Sequence, residues 1–327
     1  MVTSSALTEQ KPIGSGFTAA STAGDVLEGV DLSGKLAVVT GGYSGVGIEN
    51  VRALSAAGAT VVVPARRPEQ AARALAGIDR VEVGSLDLAD LQSVARFAES
   101  FLATGRGIDI LINCAGIMAA PQTRVGPGWE LQFATNHLGH FALTNRLWPA
   151  LVAGGGARVA VYSSRGHKFC DIQWDDLDFT GGYDKWKAYG QSKTANALFA
   201  LHLDRLGRAS GVRAFSLNPG GIRTNLQRYV ARADQIQLGW IDQDGNDLIV
   251  WKSPQAGAAT AAWAVTSPML EGMGGVYLED CEIAPLVDPA APDAMTYGVH
   301  PWAADPEHAA RLWTLSAQLT DVDAVTA

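Results

Sequence analysis

The chain of 327 residues lacks a surplus of positive charge, because 25 Lys and Arg stand against 33 Asp and Glu, for a net charge of −8. No run rich in Lys or Arg occurs, so we do not expect nucleic acid as a partner. Cysteine is also scarce. Cys114, Cys170 and Cys281 are odd in number and too widely spaced for a metal site, which argues against a disulfide framework and favours a reducing cytoplasm.

Long apolar runs are absent as well. No stretch of about 18 uninterrupted apolar residues occurs, and the first thirty residues contain one Lys and no apolar segment. We therefore expect no signal peptide, no membrane anchor and a soluble protein. Hydrophobic residues make up 47% of the chain and charged ones 18%, below the usual ~25%, so the sequence can bury a large core.

What the sequence does contain is an alternation of short β-branched runs and longer helix-like segments. The runs are apolar throughout, as expected for parallel strands covered on both faces. The seven candidate strands are Leu36–Thr40, Thr60–Val63, Arg80–Val83, Asp109–Asn113, Ala157–Ser163, Val212–Leu217 and Gly275–Leu278.

This alternation predicts an α/β fold with a single doubly wound Rossmann domain, whose mostly parallel sheet has about seven strands. We assign residues 34–320 to that domain, residues 1–33 to a polar N-terminal arm that drapes over it, and residues 321–327 to a tail. The stretch near 224–252 breaks the rhythm and is interpreted as an insertion. Because it follows the Pro219-Gly220 turn, we interpret residues 225–252 as a mobile substrate lid.

A glycine-rich turn joins the first strand to the first long helix. Glycine has no Cβ, so such a turn lets a phosphate approach the backbone N–H groups at a helix N-terminus. A bare glycine pattern is weak evidence, but here the preceding strand and following helix supply the context of a dinucleotide site. The turn reads Thr40, Gly41, Gly42, Tyr43, Ser44, Gly45, Val46, Gly47.

The end of the second strand indicates which dinucleotide binds. Sites that prefer NAD usually place an acidic residue there to bind the ribose 2′-OH, but this strand ends in Ala65, Arg66 and Arg67. A guanidinium suits a 2′-phosphate. We therefore expect NADP to be preferred, with NAD as the alternative; the sequence does not decide which arginine turns inward.

Tyr189 and Lys193 lie four residues apart in a segment, 189–208, that is strongly helical, so they share one face. A neighbouring cation favours the phenolate of a tyrosine, which suits acid-base chemistry. The fifth strand ends in Ser163 and Ser164, and Asn113 closes the fourth strand at the same edge of the sheet. His137 and His140 show no metal-ligand spacing, so we expect core or capping roles and no metal.

Taken together, these motifs resemble the short-chain dehydrogenase/reductase superfamily over residues 34–320, and in particular its retinol-dehydrogenase-like branch, which includes protochlorophyllide reductase and the WW-domain oxidoreductase. The motifs are Thr-Gly-x-x-x-Gly-x-Gly at 40–47, Asn-x-Ala-Gly at 113–116, Asn136-His-Leu-Gly-His-Phe, Ser-Ser at 163–164, Tyr-x-x-x-Lys at 189–193 and Pro-Gly at 219–220.

The resemblance implies four catalytic residues. Tyr189 would be the proton donor or acceptor, Lys193 would lower its pKa and hold the nicotinamide ribose, Ser164 would polarise the substrate oxygen, and Asn136 would position a relay water. It also implies a cofactor site. Its residues would be Gly41, Tyr43, Ser44, Gly45, Val46, Gly47, Arg66, Asp87, Leu88, Asn113, Ala115, Gly116, Tyr189, Lys193, Pro219, Gly220, Ile222 and Thr224.

The expected function is thus hydride transfer between NADP and a secondary alcohol or ketone of an apolar small molecule. One alternative is a redox-sensing module that binds NADP without turnover, and another is a sugar-nucleotide epimerase, whose glycine turn normally differs. The membrane-anchored retinoid enzymes begin with an apolar helix and this chain with a polar arm, so we do not expect retinol as the substrate. A homodimer or homotetramer is slightly preferred over a monomer.

Overall fold

One eight-stranded sheet organises the protein in the computed structural model, which describes residues 8–325. Its strands are β1 (Leu36–Thr40), β2 (Thr60–Ala65), β3 (Val81–Ser85), β4 (Ile110–Asn113), β7 (Arg158–Tyr162), β8 (Arg213–Asn218), β9 (Tyr277–Glu279) and β10 (Glu282–Ile283); β5 (Arg124–Val125) and β6 (Trp129–Glu130) form a separate hairpin. Seven strands of the large sheet are parallel, in the spatial order β9-β8-β7-β4-β1-β2-β3, and β10 pairs antiparallel with β9.

Helices cover both faces of this sheet. They are α1 (Ala23–Val26), α2 (Gly45–Ala56), α3 (Pro68–Ala74), α4 (Leu91–Leu102), α5 (Leu131–Phe133), α6 (Gly139–Arg146), α7 (Trp148–Ala153), α8 (Lys185–Gly207), α9 (Arg232–Gln237), α10 (Pro254–Thr266) and α11 (Pro306–Thr320). One apolar core cluster contains residues of α1, α2 and α10, and another contains residues of α4, α6 and α11. The expected doubly wound α/β fold is confirmed.

The central helix α8 is long because its start is well capped. The Asp184 carboxylate accepts the backbone N–H groups of Trp186 and Lys187, which begins the helix four residues before the predicted start at Tyr189. The helix packs against β8 on one side and α11 on the other. Most of its residues are therefore buried, and Tyr189 and Lys193 lie inside the protein rather than on a solvated face.

The first described residues pack along the β9 and β10 edge. The Gln10 side chain donates to the carbonyls of Tyr277 and Ala284 and accepts the Tyr277 N–H, while α1 packs on α10. Of the predicted arm and tail, residues 1–7 and 326–327 lie outside the described residues.

The segment 225–252, which we name the lid segment, has its own short elements. A 3-10 turn at Asn225–Tyr229 precedes α9, and isolated bridges join Ile241 to Asp247 and Ile222 to Lys252. Within residues 8–325, no helix has the length and apolarity needed to cross a bilayer.

Candidate active site

The carboxyl ends of the parallel strands bring the predicted site residues to one edge of the sheet. Thr40, at the end of β1, is paired with Asn113, at the end of β4, and Tyr162 of β7 is paired with Leu217 of β8. The glycine turn, the 113–116 turn, Ser164 and the Pro219-Gly220 turn all follow these ends. This is the edge at which doubly wound folds bind ligands.

Tyr189 and Ser164 meet at this edge. Tyr189 lies in α8 and is 4% exposed. Its ring and the Ser164 Oγ both border Gly166, where a built Cβ would lie 2.6 Å from the ring and 3.4 Å from Oγ. Ser164 has an extended backbone, and its Oγ accepts the Gly166 N–H over 3.0 Å. The hydroxyl of the neighbouring Ser163 instead donates to the Lys193 carbonyl over 2.7 Å. Of the two serines, Ser164 is thus the one whose hydroxyl lies near the phenol.

Lys193 lies one turn after Tyr189 and is buried. Its Nζ donates to the Tyr162 carbonyl over 2.9 Å and lies 5.7 Å from the centroid of the Tyr189 ring. Burial lowers the pKa of Lys193 to about 8. Keeping this buried ammonium charged costs free energy. The charge state of Lys193 is therefore sensitive to an anion bound at the same edge, which would favour the charged form.

The structure does not show the expected lowering of the Tyr189 pKa by Lys193. Burial raises the pKa of Tyr189 to about 12, and the nearby Ser164 hydroxyl offsets only part of that shift. The reason is that desolvation of the phenol outweighs a cation directed at the Tyr162 carbonyl. Tyr189 is therefore a protonated phenol at neutral pH, ready to donate.

Asn136 lies in a π-helical turn, Ala134–Leu138, a rare geometry often found at functional sites. Its Oδ1 accepts the Ile117 N–H, and its Nδ2 donates to the Ile117 carbonyl and to Ser192 Oγ, each over 2.9 Å. A Cβ built on Gly116 would lie 3.2 Å from Asn136 Oδ1 and 3.6 Å from Lys193 Nζ. Asn136, Gly116 and Lys193 are thus direct neighbours.

The glycine turn fits a dinucleotide phosphate. Gly41 has a φ of +67°, and a Cβ there would lie 2.9 Å from the Ala115 Cα, so only glycine lets the two turns approach. Ser44 is exposed, precedes α2 and makes no capping hydrogen bond, which leaves its hydroxyl and the first N–H groups of a twelve-residue helix for an anion.

The outer cofactor candidates lie along the same edge. Arg66 is exposed and has no hydrogen-bond or ionic partner among residues 8–325, whereas Arg67 donates to Gln70. Asp87 uses one carboxylate oxygen to accept the Ala89 N–H. Asn113 is buried and donates to Thr144 over 3.0 Å, while no partner of its Oδ1 is found in the described part of the chain.

The remaining candidates are divided between the cofactor edge and the core. Thr224 lies 3.5 Å from a Cβ built on Gly45, which places it over the glycine turn. Ile222 and Val46 both pack against Gly257, and Gly220 lies beside the Lys252 side chain. The Leu88 side chain is buried in a core cluster, and Tyr43 is partly buried against another, so core packing already accounts for these two.

Several residues of the site were not predicted from the sequence. A Cβ on Gly166 would lie 2.6 Å from the Tyr189 ring, so glycine is required for Ser164 and Tyr189 to approach. Apolar side chains also cluster with the Tyr189 ring; among them are Ala119, Trp186, Leu226, Val230 and Trp240. The Ser-x-Gly spacing after β7 was a signal for Gly166, but nothing local linked the lid residues to Tyr189. No metal-binding group of three or more His, Cys, Asp or Glu is found within residues 8–325.

Comparison with known proteins agrees with this geometry. The family model described as short chain dehydrogenase matches residues 35–235. A Streptomyces lividans protein named "Probable oxidoreductase" is 45% identical over 298 residues, covering 88% of this chain and 98% of that protein. Human retinol dehydrogenase 14 is 34% identical over 307 residues, covering 87% and 86%.

Solved structures agree as well. An uncharacterized protein from Mycobacterium paratuberculosis is 33% identical with a TM-score of 0.70, covering 94% of this chain and 98% of its own. A Beutenbergia cavernae structure, described as an NAD(P) dependent gluconate 5-dehydrogenase with bound NADP, is 27% identical with a TM-score of 0.58, covering 76% and 96%. The chain therefore belongs to the short-chain dehydrogenase/reductase family and is an NAD(P)-dependent oxidoreductase.

Proposed function

We propose that this enzyme prefers NADP and interconverts a secondary alcohol and a ketone on an apolar small molecule. The observation that carries the proposal is the placement of the Tyr189 ring and the Ser164 hydroxyl beside Gly166 at the ligand-binding edge, with Lys193 and Asn136 together beside Gly116. A phenol and a hydroxyl so placed can both reach one substrate oxygen.

In ketone reduction, the Tyr189 hydroxyl donates its proton to the carbonyl oxygen as negative charge develops there. Ser164, whose Oγ accepts the Gly166 N–H, directs its own proton at the same oxygen and stabilises that charge. Lys193 would hold the ribose hydroxyls of a bound cofactor, and Asn136 keeps its place through the three hydrogen bonds of its amide. NADPH, when bound, would supply the hydride.

Two features support the choice of cofactor and substrate. The exposed Arg66 after β2 is available for the 2′-phosphate of NADP, and the strand end offers no carboxylate for a ribose 2′-OH. Apolar side chains surround the Tyr189 phenol. When Trp240 and Val230 of the lid segment move aside, the surface left beside the phenol is apolar, which supports a substrate with a large apolar part.

The test is a panel of ketones with NADPH, with cofactor consumption followed by absorbance. Turnover of apolar ketones, with a higher kcat/KM than polar ketones of similar size, is the expected result. NADPH binding without turnover of any ketone would instead favour the regulatory alternative, for which an intact Ser, Tyr and Lys set has no use.

The catalytic assignment predicts that Tyr189→Phe keeps NADPH affinity and lowers turnover roughly 10²- to 10⁴-fold, since it removes only the donating hydroxyl. The matched control is Tyr297→Phe, which makes the same change on an exposed tyrosine. Initial rates and NADPH titration measure the two effects. Near-normal turnover by Tyr189→Phe would rule out the proton role.

A further inference from the structure

Two buried histidines that the proposed reaction does not use contact the backbone of its catalytic residues. His140 of α6 is 1% exposed, and its Nδ1 lies 2.9 Å from the Asn136 carbonyl oxygen. His167 has no exposed surface, and its Nδ1 lies 2.7 Å from the Ser164 carbonyl oxygen. In both histidines, Nδ1 therefore lies within hydrogen-bond distance of a backbone carbonyl oxygen, which can only accept.

The surroundings of His140 fix its tautomer. Thr40 Oγ1 accepts the backbone N–H groups of Cys114 and Ala115, over 2.9 and 3.1 Å, so its own proton must point elsewhere. His140 Nε2 is 2.9 Å away, whereas the alternative acceptor, the Ile112 carbonyl, is 3.4 Å away. Nε2 therefore accepts from Thr40, and Nδ1 carries the proton that His140 donates to Asn136.

The surroundings of His167 lead to the same tautomer. The backbone N–H of His300 donates to His167 Nε2 over 3.1 Å, so Nε2 has no proton. Nδ1 then carries it and donates to the Ser164 carbonyl, with the Tyr277 hydroxyl 3.2 Å from the same nitrogen. Burial lowers the pKa of His140 to about 4 and that of His167 to about 3, so both rings stay neutral near pH 7.

Each histidine also ties a catalytic residue to a distant segment. Through Thr40, His140 joins the π-helical turn of Asn136 to the end of β1 and to the 113–116 turn. His167 joins Ser164 to the segment after β10, because His300 donates to its ring and the Trp302 indole donates to its carbonyl. Both rings are buried, so each histidine acts on the site through the residue that it contacts.

We propose that His140 and His167 are positioning residues, which as neutral Nδ1–H tautomers hold the carbonyls of Asn136 and Ser164 and thereby fix the catalytic amide and hydroxyl. This inference rests on the proposed roles of Asn136 and Ser164. The competing explanation is that both rings are ordinary core residues whose polar atoms happen to be satisfied.

Matched substitutions separate the two explanations. Asparagine and leucine have similar size, but only the Asn Nδ2 can replace the Nδ1–H donor. We expect His167→Leu and His140→Leu each to lower kcat about tenfold, since a net hydrogen bond is worth a factor of roughly 2 to 12. NADPH affinity and KM should change less than about twofold, and the Asn variants should recover kcat to within about threefold of wild type.

A merely structural role predicts a different pattern. In that case kcat follows the melting temperature, and the Asn variants, with a polar group in a core site, are no better than the Leu variants. Equal kcat losses for Asn and Leu would therefore overturn the proposal.

Spectroscopy of the wild-type protein keeps the proposal testable even where a Leu variant does not fold. Long-range ¹H–¹⁵N correlation of the six ¹⁵N-labelled histidines should show His140 and His167 as Nδ1–H tautomers, assigned by their loss in the Asn variants. An Nε2–H tautomer at either ring would overturn that ring's role. If wild type reduces no ketone, the proposed function fails while the tautomers still report on the hydrogen bonds themselves.

Discussion

Two cations at the cofactor edge, Arg66 and Lys193, differ in their surroundings. Arg66 is exposed, and no partner of its guanidinium is found within residues 8–325, so it can bind a phosphate without breaking an internal contact. Lys193 is buried, and its pKa is lowered to about 8. We therefore expect Arg66 to determine the preference between NADP and NAD. We expect Lys193 to determine how cofactor binding depends on pH.

Arg66→Ala should weaken NADP far more than NAD. A hydrogen bond to a charged group contributes about 1.5 to 3 kcal/mol, so the loss in NADP affinity should be roughly 10- to 150-fold. Arg67→Ala is the matched control, because Arg67 is also exposed but donates to Gln70. Fluorescence titration with both cofactors measures the ratio. An unchanged ratio in Arg66→Ala would assign the phosphate to another group.

NADPH binding should weaken above about pH 8. The Lys193 ammonium is present below its pKa of about 8 and is lost as the pH rises through that value, which removes a donor from the ribose. In wild type, the dissociation constant for NADPH should therefore increase as the pH rises above 8. In Lys193→Met it should already be higher at neutral pH and should change little with pH. Lys187→Met, on the exposed face of α8, should keep the wild-type profile. A flat wild-type profile would contradict this role.

At the scale of elements, the lid segment is held over Tyr189 by two contacts with the start of α8. Lys185 Nζ lies 2.6 Å from an Asp234 carboxylate oxygen, and the Trp186 and Trp240 rings pack edge to face with centroids 6.2 Å apart. The hydrogen bond from Lys185 lowers the pKa of Asp234, so this pair is charged at neutral pH. In the lid interpretation, a substrate displaces part of this packing to reach the phenol.

Asp234→Asn should loosen the lid segment, because it removes the charge while keeping an acceptor for the Ala231 N–H. An ion pair of this kind contributes up to about 1 kcal/mol, so tryptic cleavage at Arg228 and Arg232 should be about two- to fivefold faster than in wild type. Asp244→Asn, also in the lid segment but exposed, is the control.

Ligands should have the opposite effect on the same cleavage. NADP together with a substrate should slow it in wild type, as expected for a lid that closes over its ligands. Equal cleavage rates with and without ligands, or no difference between Asp234→Asn and the control, would show that the segment is not a lid.

The elements that were predicted correctly are those whose signal is local. Strand β1 has the predicted bounds, and α2 begins at the predicted Gly45, because an apolar run followed by a glycine turn determines both. Strand β10 was missed. It has two residues and follows Asp280 and Cys281, which have positive φ values of 55° and 59°. Residues other than glycine seldom adopt such values, so the sequence did not indicate a turn followed by a strand there.

Within the site, the motifs predicted which residues are present but not the environment in which each side chain lies. The motifs predicted Tyr189 and Ser164, and the structure places both side chains beside Gly166. The raised pKa of Tyr189 could not be predicted, because it depends on burial by residues of the lid segment, such as Val230, that are some forty positions away. Burial of this kind is a property of tertiary packing and not of spacing along the chain.

At the scale of the whole molecule, the first described residues close one edge of the sheet. Strand β10 is the last in the sheet, and its Glu282 carboxylate accepts the backbone N–H groups of Ile13, Gly14 and Ser15 over 2.7 to 2.9 Å. Burial raises the pKa of Glu282, but these hydrogen bonds outweigh it and leave the pKa below its usual value. An edge covered in this way is protected from pairing with other chains.

Glu282→Gln should therefore release this part of the chain. Loss of the carboxylate weakens three charge-assisted hydrogen bonds, so amide hydrogen exchange at residues 13–15 should be roughly tenfold faster at neutral pH. Because the folded pKa is lowered, the protection should be complete in wild type above the usual carboxyl pKa and should disappear as the pH falls through the folded value. Glu282→Gln should lack that dependence, and Glu99→Gln, on the exposed face of α4, should behave as wild type. Exchange at residues 13–15 that is equally slow in Glu282→Gln would mean that Gln10 and the packing of α1 on α10 hold this segment without the carboxylate.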